Sequence, residues 1–206
     1  MRSAFVIMSL MLFLSLSMNA SATIMSYEKV LTLSQSIFKE ANSELTTIAI
    51  SDIDTFCPSY STLNDAERMD FFSHLLATLS MYESGFDTEN KFVENNGNIS
   101  TGLLQISLRS ISANYKEDGC SIIKTADDLT DPFKNLRCGI AIITSLVKRD
   151  GSLAKAPKAG ASRYWSTLRA PYTVYIKSLG KNVKLGKRNL VIKDLKKNYP
   201  RCLQVN

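Results

Sequence analysis

The sequence predicts a mostly helical α+β fold, in which a helical core carries a small polar lobe. Three observations point there. The stretches that end at Gly85 and Gly151 space their apolar residues three and four positions apart, the period of a helix. Both stretches begin on residues suited to capping and stop on glycine. Between them, "DTENKFVENNGNISTGLLQISLRSI" is rich in Asn, Gly, Ser and Thr, which reads as a polar loop or short hairpin leading into another helix.

Taken in order, the chain opens on "MRSAFVIMSLMLFLSLSMNASA", with one positive charge, an apolar run and a small-x-small ending at Ala20 and Ala22. Residues 1–22 are therefore expected to be a signal peptide. The apolar run is short for a membrane anchor and lacks the basic residues that stop transfer. Residues 23–206 read as a single domain with a basic C-terminal segment, without internal repeats or low-complexity tracts. Its first helix is predicted over "SYEKVLTLSQSIFKEANSEL", where Val30, Leu33, Ile37 and Ala41 fall on one side. The second starts at the capping box Asn64 with Glu67 and runs to Gly85, a third is expected near Ser107 to Tyr115, and a fourth has Asp131 as cap, Pro132 in its first turn and Gly151 at its end. "GSLAKAPKAGAS" reads as a linker, and a last short helix is expected around "RYWSTLRAPYTVYIKSL".

The four cysteines, Cys57, Cys120, Cys138 and Cys202, all follow the leader, and an even number in an exported chain favours two disulfides. Of the three pairings, Cys120 with Cys138 closes a short loop and Cys57 with Cys202 ties the ends of the domain together; this pairing is the one we expect. A zinc site is disfavoured, since there is no C-x-x-C pair and the one histidine, His74, sits mid-helix without ligand spacing to any cysteine. The formal charge is +6 at pH 7, and much of the excess lies in "KSLGKNVKLGKRNLVIKDLKK". In an exported protein without a nucleic-acid motif, that run reads as a solvated face or as attraction to an anionic envelope polymer rather than as a nucleic-acid site.

The apolar stripe Phe72, Leu76, Leu79 continues onto Glu83, which puts a carboxylate in the last turn of a helix on the face that packs inward. The helix dipole and apolar neighbours both disfavour its charge there, raising its pKa toward the range of a proton donor near neutrality. The structural alternative is a core-edge Glu paired with Lys or Arg.

Glu83 and Ser84, followed after the polar loop by Ser100-Thr101-Gly102-Leu103-Leu104-Gln105-Ile106, resemble the E-S and S-x-G-L-(M/L)-Q motifs of soluble lytic transglycosylases and goose-type lysozymes. The ordered resemblance extends from about Asn64 to Arg169. It implies the lysozyme-like α+β fold, Glu83 as the acid that protonates a glycosidic oxygen, and the Gly-Leu-Gln loop as the opposite wall of a cleft for peptidoglycan glycan. Family members that act as transglycosylases carry an A-Y-N-x-G segment; here "ASRYWSTLR" offers Tyr164 for its tyrosine and Trp165 in place of its Asn. That departure leaves hydrolysis and cyclisation both open.

Ser100 and Gln105 suit a sugar-binding wall, as hydroxyl and amide match sugar hydroxyls, or else hold the loop together. Tyr115 and Tyr164 are further cleft candidates, and Trp165 either stacks on a sugar or fills the core. Hydrolases of the inverting and retaining types need a second carboxylate. Asp87, Glu89 and Glu94 are available, and Glu94, at the start of the polar loop, is the choice because it can reach across the cleft. The expected protein is thus a secreted or periplasmic, monomeric lysozyme-like glycoside hydrolase, with lytic transglycosylase as the alternative and a non-catalytic wall-binding or inhibitor-like protein as a rival of another class. No cofactor or metal is implied. An acidic group, Glu83, Asp87, Glu89 and Glu94, beside the cleft of a basic protein would suit glycan bearing N-deacetylated, cationic glucosamine.

Overall fold

The computed structural model describes residues 24–41, 44–115, 118–176 and 180–204; the expected signal peptide lies outside them. Among the described residues are six α-helices: α1 (Tyr27–Ala41), α2 (Ile53–Phe56), α3 (Asp65–Ser84), α4 (Leu108–Asn114), α5 (Pro132–Asp150) and α6 (Arg188–Asn198). Two small antiparallel sheets accompany them, one of β1 (Lys91–Val93), β2 (Ile99–Thr101) and β3 (Ile106–Ser107) in that order, and one of β4 (Tyr172–Ile176) and β5 (Lys181–Leu185). The fold is the expected lysozyme-like α+β class. No described helix is long and apolar enough to cross a membrane.

α3 is the longest helix among the described residues. Asn64 Oδ1 accepts from Glu67 N at 3.0 Å and Glu67 Oε2 accepts from Asn64 N at 3.0 Å, closing the capping box. Gly85, in the left-handed region at φ 63°, ends the helix by donating its N–H to Met81 O. The expected single apolar face is too narrow. Phe71, Phe72, Leu75, Leu76 and Leu79 are buried, but so are Ser73, Thr78 and Ser80. Each of these hydroxyls donates to the carbonyl four residues back, Met69, His74 and Leu76 respectively, at 2.8 to 3.0 Å. Hydroxyls satisfied within their own helix can be buried at little cost, so the polar-looking side packs inward as well. α3 thereby packs on α1 and α6.

α5 follows its predicted bounds. Asp131 Oδ1 accepts from Lys134 N at 3.0 Å, Pro132 occupies the first turn, and Gly151 ends the helix at φ 59°. Both expected disulfides form, Cys120–Cys138 across 18 positions and Cys57–Cys202 across 145. The polar lobe is the three-stranded sheet, with Phe92 opposite Ser100 and Val93 opposite Ile99.

One expected element is absent. In place of a helix around "RYWSTLRAPYTVYIKSL" stand two 3₁₀ turns, Gly160–Arg163 and Ser166–Leu168, and then strand β4. The run Tyr172-Thr173-Val174-Tyr175-Ile176 is aromatic or β-branched at every position, a composition that favours a strand, and it pairs in register from Tyr172↔Leu185 to Ile176↔Lys181. The basic run beyond it is partly helical, since Val191 and Leu195, four apart, bury one side of α6.

Candidate active site

α3 delivers Glu83 to a cleft of about 780 Å³ whose lining includes Glu83, Glu94, Ser100, Gln105 and Tyr164. Five of the six sequence-selected catalytic and binding residues therefore meet in one place. Tyr115 does not line it; its ring stands edge-on behind Tyr164, with centroids 6.0 Å apart.

Burial pushes the pKa of Glu83 up, against the opposing pull of a hydrogen bond from Thr167 and of the Lys187 charge. The Thr167 hydroxyl donates to Glu83 Oε1. Thr167 itself is buried in the 3₁₀ turn Ser166–Leu168, so the bond fixes the carboxylate against a second element of the fold. A desolvated carboxyl with one aligned donor and no ion-pair partner within 4 Å among the described residues differs from the core-edge salt bridge that was the structural alternative.

Glu94 follows β1, where its N–H donates to Asn98 O at 2.8 Å in the turn to β2. Ser100 Oγ donates to Glu94 Oε1 at 2.6 Å. Ser100 thus orients Glu94, and its buried hydroxyl is committed to that acid. Of the other acids, Asp87 Oδ1 accepts from Glu89 N at 2.9 Å within the turn after α3. Neither Asp87 nor Glu89 lines the cleft, so the acidic group expected there shrinks from four residues to two.

Gln105 serves the loop as well as the wall. Its Nε2 donates to Asn90 O at 3.0 Å and Gly102 O at 2.9 Å, and its backbone is held in the left-handed region at φ 48°. Behind it stands Asn135 on α5, fully buried. Asn135 Oδ1 accepts from Leu104 N at 3.0 Å, and its Nδ2 donates to Thr101 O at 3.0 Å and Leu129 O at 2.8 Å. Gly102, at φ 77°, approaches so closely that a Cβ there would collide with Leu129 O and the Asn135 amide. Tyr164 accepts from Ser107 N at 3.0 Å through its hydroxyl, and burial pushes its pKa to about 12, so it stays neutral. Trp165 is 2% exposed and donates from Nε1 to Leu104 O at 2.8 Å, which makes it chiefly a core residue under the loop.

The remaining wall was not assigned to the cleft from sequence, although its lysines belong to the basic run read there as a solvated face or as attraction to an anionic polymer. Phe92 on β1 and Tyr172 on β4 line the cleft and are 62% and 37% exposed, and Lys184, Gly186 and Lys187 line it from the β5 to α6 segment. The exposed aromatics are suited to stacking on sugar rings. His74 lies elsewhere: Tyr27 Oη is 2.9 Å from its Nδ1, its ring packs on Tyr199, and burial lowers its pKa, all in keeping with a structural role. Among the described residues no group of three His, Cys, Asp or Glu side chains is arranged to hold a metal.

Residues 63–178 match the transglycosylase SLT domain family. No curated protein sequence matches the chain significantly. Among solved structures, wild-type Bd0314 DslA, form 2, is 30% identical, with a TM-score of 0.68 over 85% of this chain and 91% of that one. Two Glu-to-Gln mutants of Bd0314 DslA align over the same shares, at 30% and 31% identity and a TM-score of 0.67 each. With a match over more than half its length and this geometry beneath it, the chain belongs to the transglycosylase SLT domain family, peptidoglycan-cleaving enzymes of the lysozyme-like superfamily.

Proposed function

We propose that this protein is an exported, monomeric glycosidase that cleaves the glycan strands of peptidoglycan, with Glu83 as general acid. The observation that carries this reading is the desolvated carboxyl of Glu83 at the end of α3, open to the cleft and fastened by Thr167. With its pKa raised by burial, it is suited to carry a proton to the leaving glycosidic oxygen as the bond breaks.

Glu94 supports hydrolysis as the outcome. A second carboxylate in the same cleft, oriented by Ser100, can activate water or stabilise the oxocarbenium-like charge. The spacing of Glu83 and Glu94, eleven positions, equals that of the two glutamates separately replaced by glutamine in the Bd0314 DslA mutants. Beside Glu94, an N-deacetylated glucosamine would place its ammonium against a carboxylate, and we extend the reading to a preference for such glycan. The second reading, a lytic transglycosylase in which the sugar's own 6-hydroxyl attacks, is favoured by the description of the matched family.

The test is digestion of the same purified wall before and after enzymatic N-deacetylation, with the new sugar end identified by mass. Hydrolysis leaves a reducing end and transglycosylation an anhydro end, one water lighter. A reducing end and a faster initial rate on deacetylated wall are expected. Anhydro ends would establish the second reading, and a faster rate on acetylated wall would remove the preference.

A further inference from the structure

The cleft is electrically two-sided. Glu83 and Glu94 come from the α3 and β1 side, whereas Lys184 and Lys187 line it from the β5 to α6 segment. We propose that Lys184 and Lys187 form a cationic subsite for the carboxylate on the side-arm of alternate glycan sugars, an inference that rests on the peptidoglycan reading above. It fixes the register of the strand: the carboxylate-bearing sugar lies against the hairpin and its glucosamine neighbour against Glu94.

Two features set these lysines apart from a solvated charged face. Their segment is pinned to the element that holds the acid. Lys187 N donates to Thr167 O and Arg188 N to Arg169 O, each at 3.2 Å, and the Arg188 guanidinium donates to Ala154 O at 2.8 Å. Gly186, at φ 83°, lets the chain press so close that a Cβ would lie 2.5 Å from Ala170 O and 2.7 Å from Arg169 O. Lys187 Nζ also lies 5.5 Å from the Tyr82 ring centroid, on a tyrosine one residue before Glu83. Lys187 is therefore placed relative to the acid, and Lys184 is tied to it three positions away through the β4–β5 pairing with Thr173.

The second feature is unmatched charge. Arg163, the third cation lining the cleft, is paired with Asp150 at 2.7 Å, a carboxylate it shares with Arg149. Lys184 and Lys187 have no ion-pair partner within 4 Å among the described residues. A polymer of glucosamine alone offers nothing to them. A strand whose alternate sugars carry a lactyl ether, ending in a carboxylate or in a peptide with carboxylates of its own, offers an anion every second ring. Ammonium groups on flexible stems suit an anion whose height above the sugar varies.

The experiment compares kcat/KM on three substrates: peptide-bearing glycan, amidase-stripped glycan with free lactyl carboxylates, and a glucosamine polymer of matched acetylation without side-arms. Wild type is expected to prefer both carboxylate-bearing glycans. Lys184→Gln should cut that preference by roughly 2- to 5-fold, the range of a partly exposed ion pair, and Lys184→Arg should restore it. High salt should shrink the wild-type preference as well. Whichever carboxylate glycan loses more identifies the source of the anion. A wild type without the preference, or a Lys184→Gln that leaves it intact or slows all three substrates equally, overturns the subsite alone. Failure of wild type to cleave either wall glycan would instead overturn the parent reading.

Discussion

Among single residues, the proposed general acid Glu83 is held between opposing influences on its charge. Burial favours its protonated form, while Thr167 and Lys187 favour the carboxylate. General-acid activity is present while Glu83 is protonated and falls as pH rises through its folded pKa. Thr167→Val removes a donor that stabilises the charged form, so the alkaline limb of the kcat profile should move to higher pH; Thr167→Ser should return it. An unmoved limb in Thr167→Val, with lowered kcat, would reduce Thr167 to packing. Glu83 was legible in the sequence because it sits in register with Phe72, Leu76 and Leu79 and beside a helix stop. Thr167 was not, since its partner lies 84 positions away and no local pattern links them.

At the element scale, α5 holds the Ser-Thr-Gly-Leu-Leu-Gln loop in place through one amide. Asn135→Ala would strand Leu104 N, Thr101 O and Leu129 O in the core, three backbone groups that must otherwise be paired. We expect it to cost roughly 3 kcal/mol or more by chemical denaturation, because each buried unsatisfied group costs about 1 to 3 kcal/mol. A loss below about 1 kcal/mol would mean that the loop finds other partners. Elements whose boundaries are written locally were legible: the caps of α3 and α5 are side chains within three residues of the helix start. The β4–β5 hairpin was not, because Tyr164, Leu168 and Tyr172 fall at helical spacing while the aromatic and β-branched run that makes β4 begins only at Tyr172. The cleft wall that this segment supplies was missed with it.

At the scale of the whole molecule, the two disulfides should differ in weight. Removing either from a small domain typically costs about 2 to 5 kcal/mol, and on the chain-entropy account the bridge across 145 positions outweighs the one across 18 by about 2 kcal/mol. Calorimetry on Cys57→Ser/Cys202→Ser beside Cys120→Ser/Cys138→Ser checks this, and equal losses would show that native-state packing dominates. Both pairs were expected from the spacing and even number of the cysteines, whereas the two-sided charge of the cleft was not legible, because it appears only when the β5 to α6 segment and α3 line the same cleft. Digestion of purified wall with wild type and Glu83→Gln side by side, with folding checked by melting, decides whether Glu83 is the acid. Glu83→Gln should melt no lower than wild type at neutral pH, since it replaces a carboxyl whose charging burial opposes. Its cleavage rate should fall ~10²- to 10⁴-fold, the usual contribution of a general acid. A folded Glu83→Gln that clears wall at a near wild-type rate would show that Glu83 is not the general acid.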